Sequence, residues 1–482
     1  MTQQTAFESE IKSYKHKQSA AVKLIEIVSN LWFNHSIELV LFRNQLFDRR
    51  VSVVMNLHQQ SSELAAPALS IFETLKVAET MQHLQLAPSR IDIGKLALEI
   101  RKQNIEDEDI LYFIKKELLS AQDHANFEPR DVVLYGFGRI GRLLARELIS
   151  KAGAGRQLRL RAIVTRDNID AKTLEKRATL LRNDSIHGDF QGEVEIDVEK
   201  GALIINGATV QIISAKNPEE IDYTAYGIQN ALVIDNTGAF RDDKELARHL
   251  TSVGASQVLL TAPGKGIENI VYGVNNDMID TEKDKIFSAA SCTTNAISPI
   301  LDVIHNQYGV THGHIETIHS YTNDQNLVDN MHKKSRRGRA AALNMVITET
   351  GAGSAVAKVL PTLAGKLTSN AIRVPVPNGS LAILNLQLAK PTSIDEINNT
   401  IREAALNGKL VEQIKYSNND ELVSSDIIGT TAASVLDAPA TIVDESGLNA
   451  VLYVWYDNEY GYTHQVMRLA RHVAGVRRYT YY

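Results

Sequence analysis

The chain of 482 residues has one cysteine, Cys292. No intrachain disulfide and no multi-cysteine metal site can form, and no metal is expected. A lone cysteine is either an inert core residue or a reactive thiol, and its neighbours decide which. Glycine is missing before Gly94, and Pro67 and Pro88 are the chief breaks in a region that otherwise reads as helices. No apolar stretch approaches the roughly 20 residues that cross a bilayer. The first ten residues lack the basic-then-apolar layout of a secretory signal. A cytoplasmic location with no membrane partner is the resulting expectation. An excess of basic charge is also missing: the formal net charge is -6, which argues against a nucleic-acid partner.

There is ample material for packed cores. At 44% hydrophobic and 22% charged residues the composition is that of a globular protein and gives no sign of wholesale disorder. The length fits three domains, or two plus an extension. Over residues 11–32 and 37–57, Val, Leu, Ile and Phe recur at spacings of three and four, which predicts helices. Residues 105–119 carry acids at the start (Glu106 to Asp109) and Lys115 and Lys116 near the end, which complements a helix dipole. From Arg130 the texture changes to alternating strands and helices, the pattern of a mostly parallel sheet.

The expected fold class is therefore α/β. Strand–helix alternation at 128–290 fits a Rossmann-type domain, and an α+β domain is expected at 291–454. An all-helical N-terminal extension, 1–127, precedes these parts and is expected to be a separable module that does no chemistry.

Asp131-Val-Val-Leu-Tyr135 reads as a strand and is followed directly by Gly136-x-Gly138-x-x-Gly141 and then by a helix. In that context the three glycines are a dinucleotide fingerprint. Gly136 allows the tight turn, Gly138 lets the backbone approach a pyrophosphate at a helix N-terminus, and Gly141 permits close helix–strand packing. The fingerprint calls for an acid about 20 residues on, at the tip of the next strand, to hold the ribose 2′-hydroxyl of NAD. The tip instead reads Thr165-Arg166-Asp167. Either Asp167 swings back to the hydroxyl, or Arg166 accommodates the 2′-phosphate of NADP.

Cys292 lies in Ser291-Cys-Thr-Thr-Asn295, just ahead of a predicted helix. A cysteine at a helix N-terminus feels the positive end of the dipole and loses its proton more easily. A thiolate nucleophile needs a base or an imidazolium partner. Fourteen histidines are available, and spacing alone does not choose among them. His319, at the tip of the strand-like Ile315-Glu-Thr-Ile318, stands where catalytic groups of α/β enzymes gather.

These phrases resemble the phosphorylating glyceraldehyde-3-phosphate dehydrogenases, and the similarity spans residues 130–472. Asn183-Asp-Ser-Ile-His-Gly188, His319-Ser-Tyr-Thr-Asn-Asp-Gln325, Arg373-Val-Pro-Val-Pro-Asn378, Ser424-Ser-Asp426 and Trp455-Tyr-Asp-Asn-Glu-Tyr-Gly-Tyr462 extend it. The resemblance implies that Cys292 attacks the aldehyde and that His319 pairs with the thiolate and accepts the hydroxyl proton. Inorganic phosphate then cleaves the thioester. It also implies that Thr322 and Arg373 hold the phosphate of glyceraldehyde 3-phosphate, with Asp324 close by, and that Ser291, Thr293, Thr350 and Gly351 hold inorganic phosphate. Arg139, Ile140 and Thr261 correspond to cofactor contacts. Asn458 corresponds to the residue that binds the nicotinamide amide, and Tyr462 lies near that ring. Arg336, Arg337 and Arg339 fall in a segment that resembles the family's S-shaped loop, which lines the cofactor site of a neighbouring subunit. The resemblance also implies that 128–290 binds the dinucleotide and that 291–454 is the catalytic domain. It implies as well that a C-terminal segment, 455–482, returns to the nucleotide-binding domain, and that the protein is a homotetramer.

Three departures accompany the resemblance. The strand-tip acid is absent, Gly379 replaces a customary valine, and the extension has a counterpart only in longer bacterial relatives. An erythrose-4-phosphate dehydrogenase is the nearest rival reading. A scaffolding protein built on a retired enzyme fold is the rival from another class, and the presence of Cys292, His319 and Arg373 argues against it.

Overall fold

The computed structural model describes residues 3–63, 67–119 and 128–482. The expected domain boundary at 127 lies outside the described residues. The chain divides into two compact units, one holding Met1–Pro129, Ala152–Gln157 and Val476–Tyr482 and the other holding the rest.

In the first unit a long helix, Gln3–His35, is followed by the helices Val51–Gln60, Ile71–Met81, Ile93–Gln103 and Ile110–Glu117. Apolar faces that isolated helices could not keep out of water meet in one core, which includes Leu24, Val28, Trp32, Val54, Ala78, Met81 and Leu96. The unit is not all-helical. The stretch at 37–57, expected to be one helix, begins as the strand Glu38–Leu41, every residue of which is buried. A short apolar run such as Ile37-Glu-Leu-Val-Leu41 fits a buried strand as well as a helix, because periodicity cannot separate the two.

Two left-handed residues, Phe42 (φ 44°) and Arg43 (φ 69°), reverse the chain into an antiparallel partner, Asn44–Gln45. Asp92 fixes that turn by accepting from the backbone N–H groups of Phe42 and Arg43, each at 2.8 Å. The same carboxylate caps the helix Ile93–Gln103 through Gly94 and Lys95. The acids Glu106 to Asp109 precede the helix Ile110–Glu117 instead of lying inside it.

The C-terminal segment departs from expectation only in its last residues. The helix Tyr460–Val473 packs on Arg139–Ser150 of the nucleotide-binding domain, where the Tyr460 hydroxyl donates to Glu147 at 2.9 Å. That helix belongs to the second unit, but the last seven residues belong to the first. There Tyr479–Tyr481 pairs in parallel with Ser89–Asp92, which in turn pairs in parallel with Glu38–Leu41. The extension is therefore not separable by one cut, because removing the residues before Arg130 strips this strand of its partner.

Arg478 anchors the tail. Its guanidinium forms an ion pair with Glu38 and lies 5.3 Å from the centre of the Trp32 ring. Arg90 Nε stands 3.5 Å from the same carboxylate, and both Glu38 and Arg478 are buried. Removing one partner of such a pair leaves an uncompensated buried charge and costs about 3–5 kcal/mol. Glu38→Ala should therefore lower the denaturant midpoint of the first unfolding transition of the full-length protein. An unchanged midpoint would mean that the pair is not isolated from water.

The second unit contains two eight-stranded sheets. In the first, Ile286–Ser288, Ala255–Leu260, Ala231–Asp235, Arg130–Tyr135, Leu158–Thr165 and Ala208–Ser214 run parallel in that spatial order, and an antiparallel pair closes the far edge. The chain enters at Arg130–Tyr135, builds outward on one side, and then returns to the other. The C-terminal end of that first strand is the switch point where such sheets bind ligands.

The second sheet is mixed, and the buried helix Cys292–Tyr308 packs on it. Its strands Val310–Ser320 and Leu367–Val374 are parallel and in register, with His319 opposite Arg373. Gly379, read from sequence as a minor change, has φ 88°, and a Cβ there would collide with the Ser424 carbonyl oxygen. Glycine is required by this backbone.

Candidate active site

The turn before Cys292 is tightly held. Ala290 sits in the left-handed region at φ 54°, a costly conformation for a residue with a Cβ and one that concentrates at functional sites. Its carbonyl accepts from the Tyr462 hydroxyl at 2.8 Å. Asn295 Nδ2 donates to the carbonyls of Ala289 (2.8 Å) and Ser291 (2.9 Å). Ser291 caps the helix by accepting from Thr294 N. Cys292 is consequently the first residue of a 17-residue helix, where unpaired backbone N–H groups and the dipole favour an anion.

Strand Val310–Ser320 delivers His319, whose Nε2 lies 3.6 Å from Cys292 Sγ. Its Nδ1 lies 2.7 Å from the Ser320 carbonyl. Nδ1 also lies 2.8 Å from Arg373 Nη1, which can only donate; in the tautomer that donates Nδ1–H to the carbonyl, the Nε2 lone pair faces the sulfur. Arg373 Nη1 donates to the same carbonyl at 2.8 Å. Burial pushes the Cys292 thiol up, opposed mainly by Arg373. Burial, assisted by Arg373, lowers the His319 imidazole to about 3. Each charge alone is disfavoured, so the two groups hold one proton between them over a wide pH range. Its transfer from Sγ to Nε2 leaves the net charge unchanged.

Cationic and hydroxyl groups crowd beside this pair. Arg373 Nη1 is 3.4 Å from Thr322 Oγ1, and Thr322 donates to Asp324. Arg337, expected in a loop that lines a neighbouring subunit's cofactor site, forms an ion pair with Asp324 of its own chain and donates from Nε to Thr348 Oγ1 at 3.1 Å. Two residues beyond Thr348, Thr350 Oγ1 accepts from Ala352 N beside Gly351. Thr293 Oγ1 lies 3.0 Å from the Tyr456 hydroxyl, and the Tyr456 ring meets His319 edge-on at 6.0 Å.

Sequence reading gave no role to Tyr456 or Ala290. Inward alternation along Asn449–Tyr456 could have revealed Tyr456. No local signal reveals a left-handed alanine.

The dinucleotide side is built at the ends of the parallel strands. Gly136 has φ 99°, and a Cβ on Gly141 would meet the Gly136 carbonyl oxygen, so both positions demand glycine. A Cβ on Gly138 would meet nothing within 4 Å. That open space lies before the helix Arg139–Ser150, which has no side-chain cap. Asn236 Oδ1 and Thr165 Oγ1 are buried with no hydrogen-bond partner among the described residues. An open glycine cradle, an uncapped helix start and waiting polar atoms fit a dinucleotide.

Thr261 Oγ1 donates to the Asp235 carbonyl at 3.0 Å. Asn458 Oδ1 accepts from Ser380 Oγ at 2.8 Å, which leaves its NH₂ as the spare donor. Ile140 is the second residue of the uncapped helix and is half-buried. The Arg139 side chain does not reach toward that cradle, because Glu459 and Asp184 (2.6 Å) hold its guanidinium. Asp167 is paired with Arg177, while Arg166 is exposed.

A mostly parallel sheet with this fingerprint at its switch point defines a dinucleotide-binding protein. Residues 130–243 match the glyceraldehyde 3-phosphate dehydrogenase NAD binding domain, and 291–458 match the C-terminal domain of that enzyme. The chain is 39% identical over 344 residues to glyceraldehyde-3-phosphate dehydrogenase of Geobacillus stearothermophilus, covering 71% of this chain and 98% of that one. It is 40% identical over 352 residues to the Clostridium pasteurianum enzyme of the same name, covering 72% and 99%. A glyceraldehyde-3-phosphate dehydrogenase-like protein of Pseudomonas aeruginosa is 49% identical over 463 residues, covering 94% of this chain and 98% of its own. That match is too long to involve only the residues after Arg130, so the extension has a counterpart there. The chain belongs to the glyceraldehyde-3-phosphate dehydrogenase family, and its nucleotide-binding domain is of the NAD-binding type.

Proposed function

We propose that this protein is a phosphorylating glyceraldehyde-3-phosphate dehydrogenase that accepts NADP as well as NAD. The observation that carries the reading is Cys292 Sγ at a helix start, 3.6 Å from His319 Nε2, beside Arg373, Thr322 and Arg337. A bound dinucleotide supplies the hydride acceptor. Cys292 Sγ adds to the aldehyde carbon, and the oxygen takes up the proton that the pair held. His319 Nε2 then removes that hydroxyl proton as the C–H bond breaks, leaving a thioester. An oxygen of inorganic phosphate attacks the thioester carbon, the C–S bond breaks, and Cys292 is regenerated with 1,3-bisphosphoglycerate as product.

Arg373 and Thr322 are assigned to the substrate's own phosphate, with Asp324 beside them orienting Thr322 and Arg337, and Ser291, Thr293, Thr350 and Gly351 to inorganic phosphate. Two anions beside a thiolate call for cations and hydroxyls at short range. Asn458 is assigned to the nicotinamide amide. The NADP part rests on the second strand tip, where Arg166 is exposed and Asp167 is engaged by Arg177. A homotetramer belongs to the same reading. Leu327, Met331 and Leu343, on either side of Arg336–Arg339, are 80%, 95% and 82% exposed, large apolar side chains suited to burial at an interface. A lone reactive thiol fits a reducing cytoplasm.

A steady-state assay with NAD and NADP side by side, with and without inorganic phosphate, tests this proposal. Multiple oxidative turnovers should require phosphate or arsenate, and NADP should serve at least as well as NAD. Phosphate-independent release of the free acid would favour the erythrose-4-phosphate reading. A strong NAD preference would return the acidic role to Asp167.

A further inference from the structure

The helix Gln3–His35 is buried along one face only from Ala20 onward, through Ala20, Ala21, Leu24, Ile27, Val28, Leu31 and Trp32. Ahead of that point, every residue from Phe7 to Lys17 is exposed. Phe7, Ile11 and Tyr14 are 62%, 40% and 51% exposed, and with Gln18 they recur at spacings of four, three and four. That is the d-a-d-a seam of a coiled coil. His16, on the opposite side of the helix, contacts the Phe72 ring at 4.8 Å, so the seam faces away from the unit's own core.

The charges flanking this seam are complementary to a second copy of themselves. On the heptad set by the seam, Glu8 and Lys15 fall at e, and Glu10 and Lys17 fall at g. In an antiparallel pair, e faces e and g faces g. Glu8 then meets Lys15 of the other copy and Glu10 meets Lys17, giving four attractive pairs across the two-fold axis. The seam layers become Ile11 against Tyr14 and Phe7 against Gln18. A parallel pair would satisfy only Glu10 with Lys15. The seam ends where Ala21 is buried.

We propose that residues 7–18 form an isologous, antiparallel helix–helix interface between two copies of this chain. The apolar stripe is then covered by its own symmetry mate.

Full-length protein mixed from ¹⁵N-labelled and unlabelled chains, treated with a zero-length carbodiimide cross-linker, tests the register. Glu8 and Lys15 lie seven residues apart, about 10.5 Å along one helix, beyond zero-length reach within a chain. Mixed-isotope cross-links Glu8–Lys15 and Glu10–Lys17 are expected. Sedimentation on dilution supplies a second readout. Glu8→Lys with Glu10→Lys, or Lys15→Glu with Lys17→Glu, should weaken assembly on the order of tenfold or more, as like charges replace opposite ones. The fourfold variant should restore it. Intermolecular Glu10–Lys15 links would overturn the antiparallel register. Absent cross-links with unchanged dissociation would overturn the interface altogether.

Discussion

Cys292→Ser should abolish dehydrogenase turnover, with a loss on the order of 10⁴-fold or more, the scale on which removing a nucleophile acts. Sulfur can share its proton with His319 Nε2 at 3.6 Å. A serine hydroxyl in the same place is far less acidic and stays protonated. The substitution should leave the fold intact. Ser291, not Cys292, caps the helix, and serine differs from cysteine by one atom of similar size, so one oxygen replaces one sulfur without opening a cavity. The check is turnover together with iodoacetate incorporation. Wild type should incorporate one equivalent and the variant none, since no other thiol exists. Turnover above a small fraction of wild type in a folded variant would remove Cys292 from the nucleophile's role.

What could be read from the sequence follows from how local each feature is. The fingerprint glycines answer to a turn and a close approach within six residues, so their spacing carries their geometry. Cys292 was legible because a helix start and its cap lie in one short phrase. His319 was placed at a strand tip, but its opposition to Arg373 depends on the register of two strands about 50 residues apart, which periodicity does not encode. The tail escaped for the same reason. Tyr479–Tyr481 finds its partner at Ser89–Asp92, across nearly the whole chain, and nothing local marks the pairing.

Other differences arise where one side chain has two possible employers. Arg139 sits at the helix start beside the fingerprint, yet its guanidinium is taken by Asp184 and Glu459. Burial raises both acids, but the backbone N–H groups of His187 and Ile186 at Asp184, the His187 ring at Glu459 and the arginine beside both outweigh it, and both titrate below their ordinary values. The backbone of Arg139 can still face a pyrophosphate while its side chain braces the loop. Gly379 shows the opposite case, a residue that looked dispensable until its φ of 88° made a side chain untenable.

His319→Asn should slow acylation by about 10²–10⁴-fold, the range for loss of one positioned acid–base group. Its pH signature is more telling than its rate. With the imidazole lowered to about 3 and the thiol raised, the wild-type pair keeps a single proton across a broad window. Within that window the thiolate fraction is set by sharing between Sγ and Nε2 and does not change with pH. Alkylation of wild type should therefore show a plateau through neutral pH and rise again only in alkali.

Asparagine can still donate toward the Ser320 carbonyl, but it cannot carry the proton. The buried thiolate then loses its cationic partner, its pKa rises further, and Arg373, with Thr293 and the N–H groups of the helix start, is left to oppose the cost of burial. The plateau should disappear, leaving one titration displaced to higher pH and slower alkylation near pH 7. An unchanged profile would make His319 a structural residue, held by Ser320 and packed on Tyr456, with the sulfur's proton going elsewhere.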